Sequence, residues 1–358
     1  MKTYLFLGSK DLIDYYFTQD LLKQKNKVII VDYIEEKHYT FDPSFKGNIK
    51  TEIKESKYQY YNLKLDSKDF KDLLKKIKPD YIIYGLTSTF QNFDLIEFVN
   101  NIKETSYSYK MNFIMLSSIQ IYENVKKTKI TEHEIILPTS EYAIFTRALE
   151  LLLKDKDIKH TILRCGHFLG YNIPNSIIQK RIRAIYSDTL IMPFPTLSKQ
   201  DLFIPSFIHL KDIKDTLFKI INFLDNNEIL PSIINLTNSS LDLEEIDKII
   251  LKETNLIDYY NKNDLDSYYY SFPKLRTIDI STLKYELKIA SKISLNDGIK
   301  DTLEWYNKTY LVNKKLDAQL KEKIDNTKQD DLRKLYNKYY QHKLTNQEII
   351  KYINQKLS

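Results

Sequence analysis

The chain has 358 residues, of which 42% are hydrophobic and 28% charged, with a formal net charge of +6. This length and balance describe a globular protein with a sizeable core and exclude a disordered or fibrous chain. Residues 311–358 hold 11 basic against 6 acidic side chains, so most of the excess charge lies in the tail and no basic groove for nucleic acid is expected.

The predicted elements begin with a strand from Tyr4 to Leu7, then Gly8, an amphipathic helix, and a second strand from Val28 to Val31 that closes on Asp32. Strand, helix and parallel strand in this order start a dinucleotide-binding domain. Gly8 takes the first turn. Asp32, 24 positions on, takes the place where an acid meets a ribose hydroxyl. The glycines that would let backbone approach a pyrophosphate are missing, and Asp11 and Asp14 stand in their places. Asp11 also reads as the N-cap of the helix, with Asp14 in its first turn. A carboxylate about 4 Å from a phosphate costs roughly 1 kcal/mol in water and about 4 at an effective dielectric of 20. Lys10 offsets part of that repulsion.

A polar excursion with Pro43 and Gly47 leads to a third strand from Tyr58 to Leu65. The segment from Asp66 then starts a helix that runs to about Lys76. Asp66 has two readings, as a contact to an adenine amino group at the end of the third strand or as the N-cap of that helix. Tyr81 to Tyr84 is a fourth, buried strand. Gly85 to Ser88, including Leu86 and Thr87, forms a small-residue turn where a cofactor would lie at the carboxyl edge of a parallel sheet. A helix from Phe93 to Ile102 and a fifth strand from Met111 to Leu116 follow. Ser117-Ser118-Ile119-Gln120-Ile121-Tyr122 leaves the end of that strand, and Pro138-Thr139-Ser140-Glu141-Tyr142 opens a helix that runs through Glu150.

Here the chain resembles the extended short-chain dehydrogenases/reductases of the NAD-dependent epimerase/dehydratase family, which modify nucleotide-activated sugars. Their serine-rich turn is matched by SSIQIY, and their Tyr-x-x-x-Lys helix by the helix at Tyr142. The similarity continues through HTILRCGHFLGYN (His160 to Asn172), with Arg164 and Gly170 kept, and through Phe207 to Ile213. It ends at Gly298, Trp305 and Tyr306. The resemblance implies a Rossmann-type doubly wound parallel α/β sheet over residues 1–170. It also implies a smaller substrate lobe over 171–310, interleaved with the last core elements. Residues 311–358 lie outside it and read as a helical extension that docks on the lobe, a second copy or a partner enzyme.

The resemblance assigns Tyr142 as proton donor or acceptor at a sugar oxygen and Ser118 as the group that holds that oxygen. Thr146 stands where the family carries its lysine, and Glu123 where a glycine follows the tyrosine of the turn. No arginine stands near Pro205. Without the lysine, an ordinary tyrosine with a pKa near 10 is ionised in about one molecule in a thousand at pH 7. Oxidation, which needs the phenolate as base, suffers more from this than reduction, which needs only the phenol. Cofactor contacts are implied at Gly8, Lys10, Asp11, Asp32, Asp66, Gly85, Leu86 and Thr87. NAD is preferred over NADP because an acid at Asp32 repels a 2′-phosphate.

For a nucleotide-sugar substrate, His167 is a candidate contact. Arg181 and Arg183 read either as contacts to its diphosphate or as a solvated helix face. His209 reads as structural, and no histidine spacing suggests a metal. Cys165, the one cysteine, excludes an internal disulfide and suits a reducing compartment. The amino-terminal apolar run is too short for a secretory signal, and no run reaches bilayer length. A cytoplasmic protein without membrane contact is expected, with a homodimer as its candidate assembly. The rival reading is a catalytically silent relative that binds a sugar nucleotide or a partner protein and retains no cofactor.

Overall fold

The computed structural model describes residues 1–8, 17–32, 58–85, 94–106, 109–170, 178, 182, 206–240, 243–254 and 276–306. The sequence features at Lys10, Asp11, Asp14, Leu86, Thr87, Arg181 and Arg183, and the extension 311–358, lie outside these residues. The first half of the chain supplies β1 (Thr3–Leu7), α1 (Gln19–Lys23), β2 (Lys27–Asp32), β3 (Tyr58–Asn62), α2 (Lys68–Ile77), β4 (Tyr81–Gly85), α3 (Leu95–Ser106), β5 (Asn112–Ser118), β6 (Lys129–Ile130) and α4 (Glu141–Asp155). The second half supplies β7 (His160–Cys165), β8 (His167–Leu169), β9 (Ser206–His209), α5 (Leu210–Asp225), β10 (Ile233–Leu236), β11 (Ser239–Ser240), α6 (Leu243–Glu253), β12 (Thr277–Ile278) and α7 (Leu295–Tyr306).

Among the described residues seven strands form one sheet in the order β10-β7-β5-β4-β1-β2-β3, and every pairing between them is parallel. From β1 the chain builds outward through β2 and β3, then returns to β4 and builds the other way. The order therefore reverses between β1 and β4, and a crevice opens there at the carboxyl ends of the strands.

Period-two alternation explains why the sheet is covered on both faces. Tyr4, Phe6, Val28 and Ile30 face a layer made by α1 and α5, with Leu21, Ile213, Leu217 and Ile220. Leu5, Leu7, Ile29 and Val31 face α2, α3 and α4, with Phe70, Leu74, Phe98, Val99, Leu149 and Leu153. A second sheet has the order β11-β9-β8, and β12 pairs with β6. Helix α7 packs on β8 and β9, close enough that a Cβ on Gly298 would lie 2.8 Å from Leu169 Cδ1. Among the described residues no helix is long and apolar enough to cross a membrane.

Several boundaries differ from the sequence reading: the helix read as Phe93 to Ile102 is Leu95–Ser106, and the fifth strand runs on to Ser118. The third strand stops at Asn62, and Leu65 turns into the core instead of extending the strand. The N-cap of α2 is Ser67, not Asp66. Ser67 has extended backbone angles and its Oγ accepts from Phe70 N, the arrangement that satisfies an open first-turn amide.

Gly8 ends β1 with a φ of +66°, and a Cβ there would lie 3.2 Å from Gly85 O at the end of β4. A left-handed conformation costs an L-residue about 1–2 kcal/mol. Gly8→Ala is therefore expected to lose about that much stability in urea unfolding, and an unchanged midpoint would show that the turn is relaxed.

Candidate functional site

The carboxyl edge of the sheet brings the predicted residues together in two groups. The first flanks the crevice. Gly8 N donates to Val31 O at 3.2 Å, which ties the end of β1 to the end of β2. Gly85 ends β4 and is buried. Asp32 is the last residue of β2, in register with Asn62. Asp66 lies just past β3, where its Oδ2 accepts from Asp94 N at 2.8 Å. That bond anchors the start of α3, whose first amides are capped by Asp94 Oδ1. One oxygen of Asp66 is thus committed to the backbone.

The second group carries hydroxyls. Ser118 ends β5, and its Oγ accepts from Gln120 N at 3.1 Å, so its own proton is available to another acceptor. Tyr142 lies on the first turn of α4, half-buried. Burial pushes its phenol up to about 12, and its hydroxyl is hydrogen-bonded with the Ser118 and Thr146 side chains close to Cys165. Thr146 is fully buried, and its Oγ1 donates to Tyr142 O at 2.7 Å. The Thr146 bond lowers the Tyr142 pKa by less than burial raises it, and Thr146 brings no charge.

A buried polar network, which the sequence reading did not single out, holds these hydroxyls in place. Arg164 on β7 forms a fork with Glu150 on α4, with Nε to Oε1 at 3.1 Å and Nη2 to Oε2 at 2.8 Å. Both side chains are 1% exposed. Ser117 Oγ donates to the same Glu150 Oε1 at 2.6 Å. Arg164 Nη1 donates to Tyr122 Oη at 2.7 Å and to Glu132 O at 3.0 Å, and Tyr122 Oη donates to Asn235 Oδ1 at 2.8 Å. The signal in the sequence was a single charge inside each of two apolar runs, ILRC and LELLL. Successive strand residues point to opposite faces, so Ser117 turns to the network while Ser118 turns to Tyr142.

Glu150 would be raised by burial, but the Arg164 guanidinium and the Ser117 and Arg147 hydrogen bonds hold its carboxyl below the ordinary 4.5. A carboxyl lowered in the folded state contributes stability that is complete above the unfolded value and is lost as the pH falls through the folded one. Stability is thus expected to decline below about pH 4.5 in native protein and less so in Glu150→Gln. Removing one partner of a buried pair costs about 3–5 kcal/mol. Urea unfolding of Arg164→Ala should show a loss of that size, and a loss below about 1 kcal/mol would mean that water reaches the pair.

The remaining candidates fall elsewhere. His167 is half-buried on β8, just past the end of β7, with its ring 5.6 Å from that of Phe207. His209 is 1% exposed and caps α5, its Nδ1 accepting from Lys211 N at 3.1 Å. Its Nε2 lies 3.4 Å from Asp301 Oδ2, and burial lowers its pKa. Burial pushes the Cys165 thiol far above its ordinary range. No cluster of metal-ligating side chains occurs among the described residues.

A search of curated proteins by sequence finds no match. Solved structures are more informative. The enzyme WbmG of Bordetella bronchiseptica, in complex with NAD, superposes with a TM-score of 0.62 at 13% identity, covering 86% of this chain and 94% of that one. UDP-glucuronic acid 4-epimerase of Bacillus cereus, with UDP-glucuronic acid and NAD, gives 0.63 at 18% identity, covering 86% and 99%. The dTDP-glucose 4,6-dehydratase of Bacillus anthracis str. Ames, with NAD, gives 0.61 at 15%, covering 86% and 97%. At these identities the likeness establishes the fold. The profile of the NAD dependent epimerase/dehydratase family matches residues 16–236, well over half of the sequence, and the chain belongs to that family.

Proposed function

We propose that this protein is an NAD-dependent enzyme acting on a nucleotide-activated sugar, and that it works as a ketoreductase. The observation that carries this reading is the Tyr142 phenol, pushed up to about 12 and hydrogen-bonded with Ser118 beside the crevice of a reversing parallel sheet. The crevice at the strand reversal is where a dinucleotide would lie, and there Gly8 packs so close to Gly85 O that a Cβ would come within 3.2 Å of it. Gly8 and Gly85 would line its passage, and Asp32 at the end of β2 would meet the ribose hydroxyl and favour NAD over NADP. Lys10 and Asp11, after Gly8, and Leu86 and Thr87, after Gly85, would border the same passage. When bound, the nicotinamide supplies hydride exchange at a sugar carbon.

The chain's own residues supply the proton. With a pKa of about 12, the phenol is ionised in about one molecule in a hundred thousand at pH 7. At pH 7 it therefore carries its proton, as reduction requires, and the phenolate that oxidation requires is rare. Ser118, oriented by Gln120 N, would hold the keto oxygen, and Tyr142 would donate its proton to that oxygen. The Thr146 side chain, hydrogen-bonded with the phenol, keeps it aligned. His167, past the end of β7, and Arg181 and Arg183 would meet the sugar and its diphosphate. A homodimer remains part of this reading, with Ile96 on α3 and Ile144 and Leu151 on α4, each about half exposed, as candidate contacts. A cytoplasmic setting accords with the buried thiol of Cys165.

Purified protein given NADH and a nucleotide-linked 4-keto sugar should oxidise NADH, and Tyr142→Phe should abolish this. The reductive rate should be flat between about pH 6 and 9, while the reverse oxidation climbs about tenfold per pH unit as phenolate forms. Absence of NADH consumption and of NAD binding by calorimetry would overturn the reading in favour of a silent sugar-nucleotide or partner-binding relative.

A further inference from the structure

We infer that Glu123 is a positioning residue that holds the start of α4, and with it Tyr142, against the turn that carries Ser118. The inference rests on the Tyr142–Ser118 reading above. Ser118 begins a tight 3-10 turn, Ile119–Tyr122, which ends with Glu123 N donating to Gln120 O at 3.1 Å. Four residues of hydrogen-bonded turn thus join Ser118 to Glu123. From there a single carboxylate oxygen, Oε1, reaches across to the segment before α4. It accepts from Ser140 N at 2.7 Å, from Thr139 N, and from Thr139 Oγ1 at 3.2 Å. Asn124 adds a second tie, its Nδ2 donating to Leu137 O at 2.7 Å. Tyr142 is two residues past Ser140.

The helix has a need that Glu123 meets. Ser140 is the N-cap residue of α4, yet its side chain makes no capping bond. The acid instead comes from 17 residues upstream, and its charge lies at the positive end of the helix, where an anion is favoured. Burial would raise the Glu123 carboxyl, but the amides of Ser140 and Thr139 hold it below its ordinary range. The turn itself is anchored from the other side. Arg276, 5% exposed, donates Nη1 and Nη2 to Glu123 O at 3.3 Å each and Nη1 to Val125 O. Tyr122 is fixed by Arg164 and Asn235. A glycine at position 123 would keep the turn but leave the helix start untied.

The test compares Glu123→Ala and Glu123→Gln in the full chain. Gln keeps the one oxygen that accepts all three bonds and loses only the charge. Amide hydrogen exchange at Thr139 and Ser140 should rise at least about tenfold in Glu123→Ala, as expected for loss of a hydrogen bond to a charged group, and stay near native in Glu123→Gln. With NADH and a nucleotide-linked 4-keto sugar, kcat should fall at least about tenfold in the Ala variant with KM for NADH unchanged, since misplacing reacting groups by an ångström can cost about a hundredfold. The Gln variant should keep most of the native kcat. Should Glu123→Ala fail to fold, Glu123→Asp, one methylene too short to reach both amides, takes its place with the same expected pattern. Native exchange and native kcat in the Ala or Asp variant would overturn the inference, as would a Gln variant as slow as Ala. Tyr142→Phe separates the two claims. An active Tyr142→Phe sinks the reading of the site, whereas an inactive one beside a fully active Glu123→Ala sinks the role of Glu123 alone.

Discussion

The buried pair of Glu150 and Arg164 is the constraint on which the site depends. Desolvating two opposite charges costs several kcal/mol for each ion, and only a well-formed fork with its remaining polar atoms satisfied offsets that cost. Here both conditions are met, with Ser117, Arg147 and Tyr122 completing the shell. Because Glu150 is on α4 and Arg164 on β7, the pair admits one seating of the helix on the sheet. Tyr142 lies two turns up the same helix, and Ser118 is the neighbour of Ser117 on β5. The buried pair thus ties to the sheet the helix that carries Tyr142, beside the strand that carries Ser118.

The chemistry that follows is that of a cation-free tyrosine. In a site with a lysine one turn along the helix, the positive charge favours the phenolate and makes the tyrosine a two-way acid and base. Here the turn ends in Thr146, buried and donating to the backbone. Burial then dominates, and it favours the neutral form. At neutral pH the phenol therefore stands with its proton in place, the form that reduction uses, and the phenolate that oxidation needs is rare.

How much of this could be read in the sequence depended on whether the signal was local. The runs Tyr4 to Leu7 and Val28 to Val31 were legible because strands buried on both faces are apolar throughout, and they pair in register as β1 and β2. Asp66 was ambiguous because acid and serine stand side by side ahead of α2. The phase of Phe70, Leu73 and Leu74 against the core selects Ser67 as the cap. The pairing of Ser118 with Tyr142 was anticipated from the family-like spacing of the two motifs. Glu150 with Arg164, and Glu123 with Ser140, were not anticipated, because each joins segments 14 or 17 residues apart across a topology that spacing alone does not give.

The most direct test of the account is the titration of the Tyr142 hydroxyl itself, followed by carbon NMR of [13Cζ]tyrosine-labelled protein, with Tyr142→Phe to assign its resonance. The account predicts a phenol that stays protonated through neutral and mildly alkaline pH and titrates at about 12. A midpoint at or below the ordinary value of about 10 would reveal a cation or open water at the hydroxyl and would contradict the account.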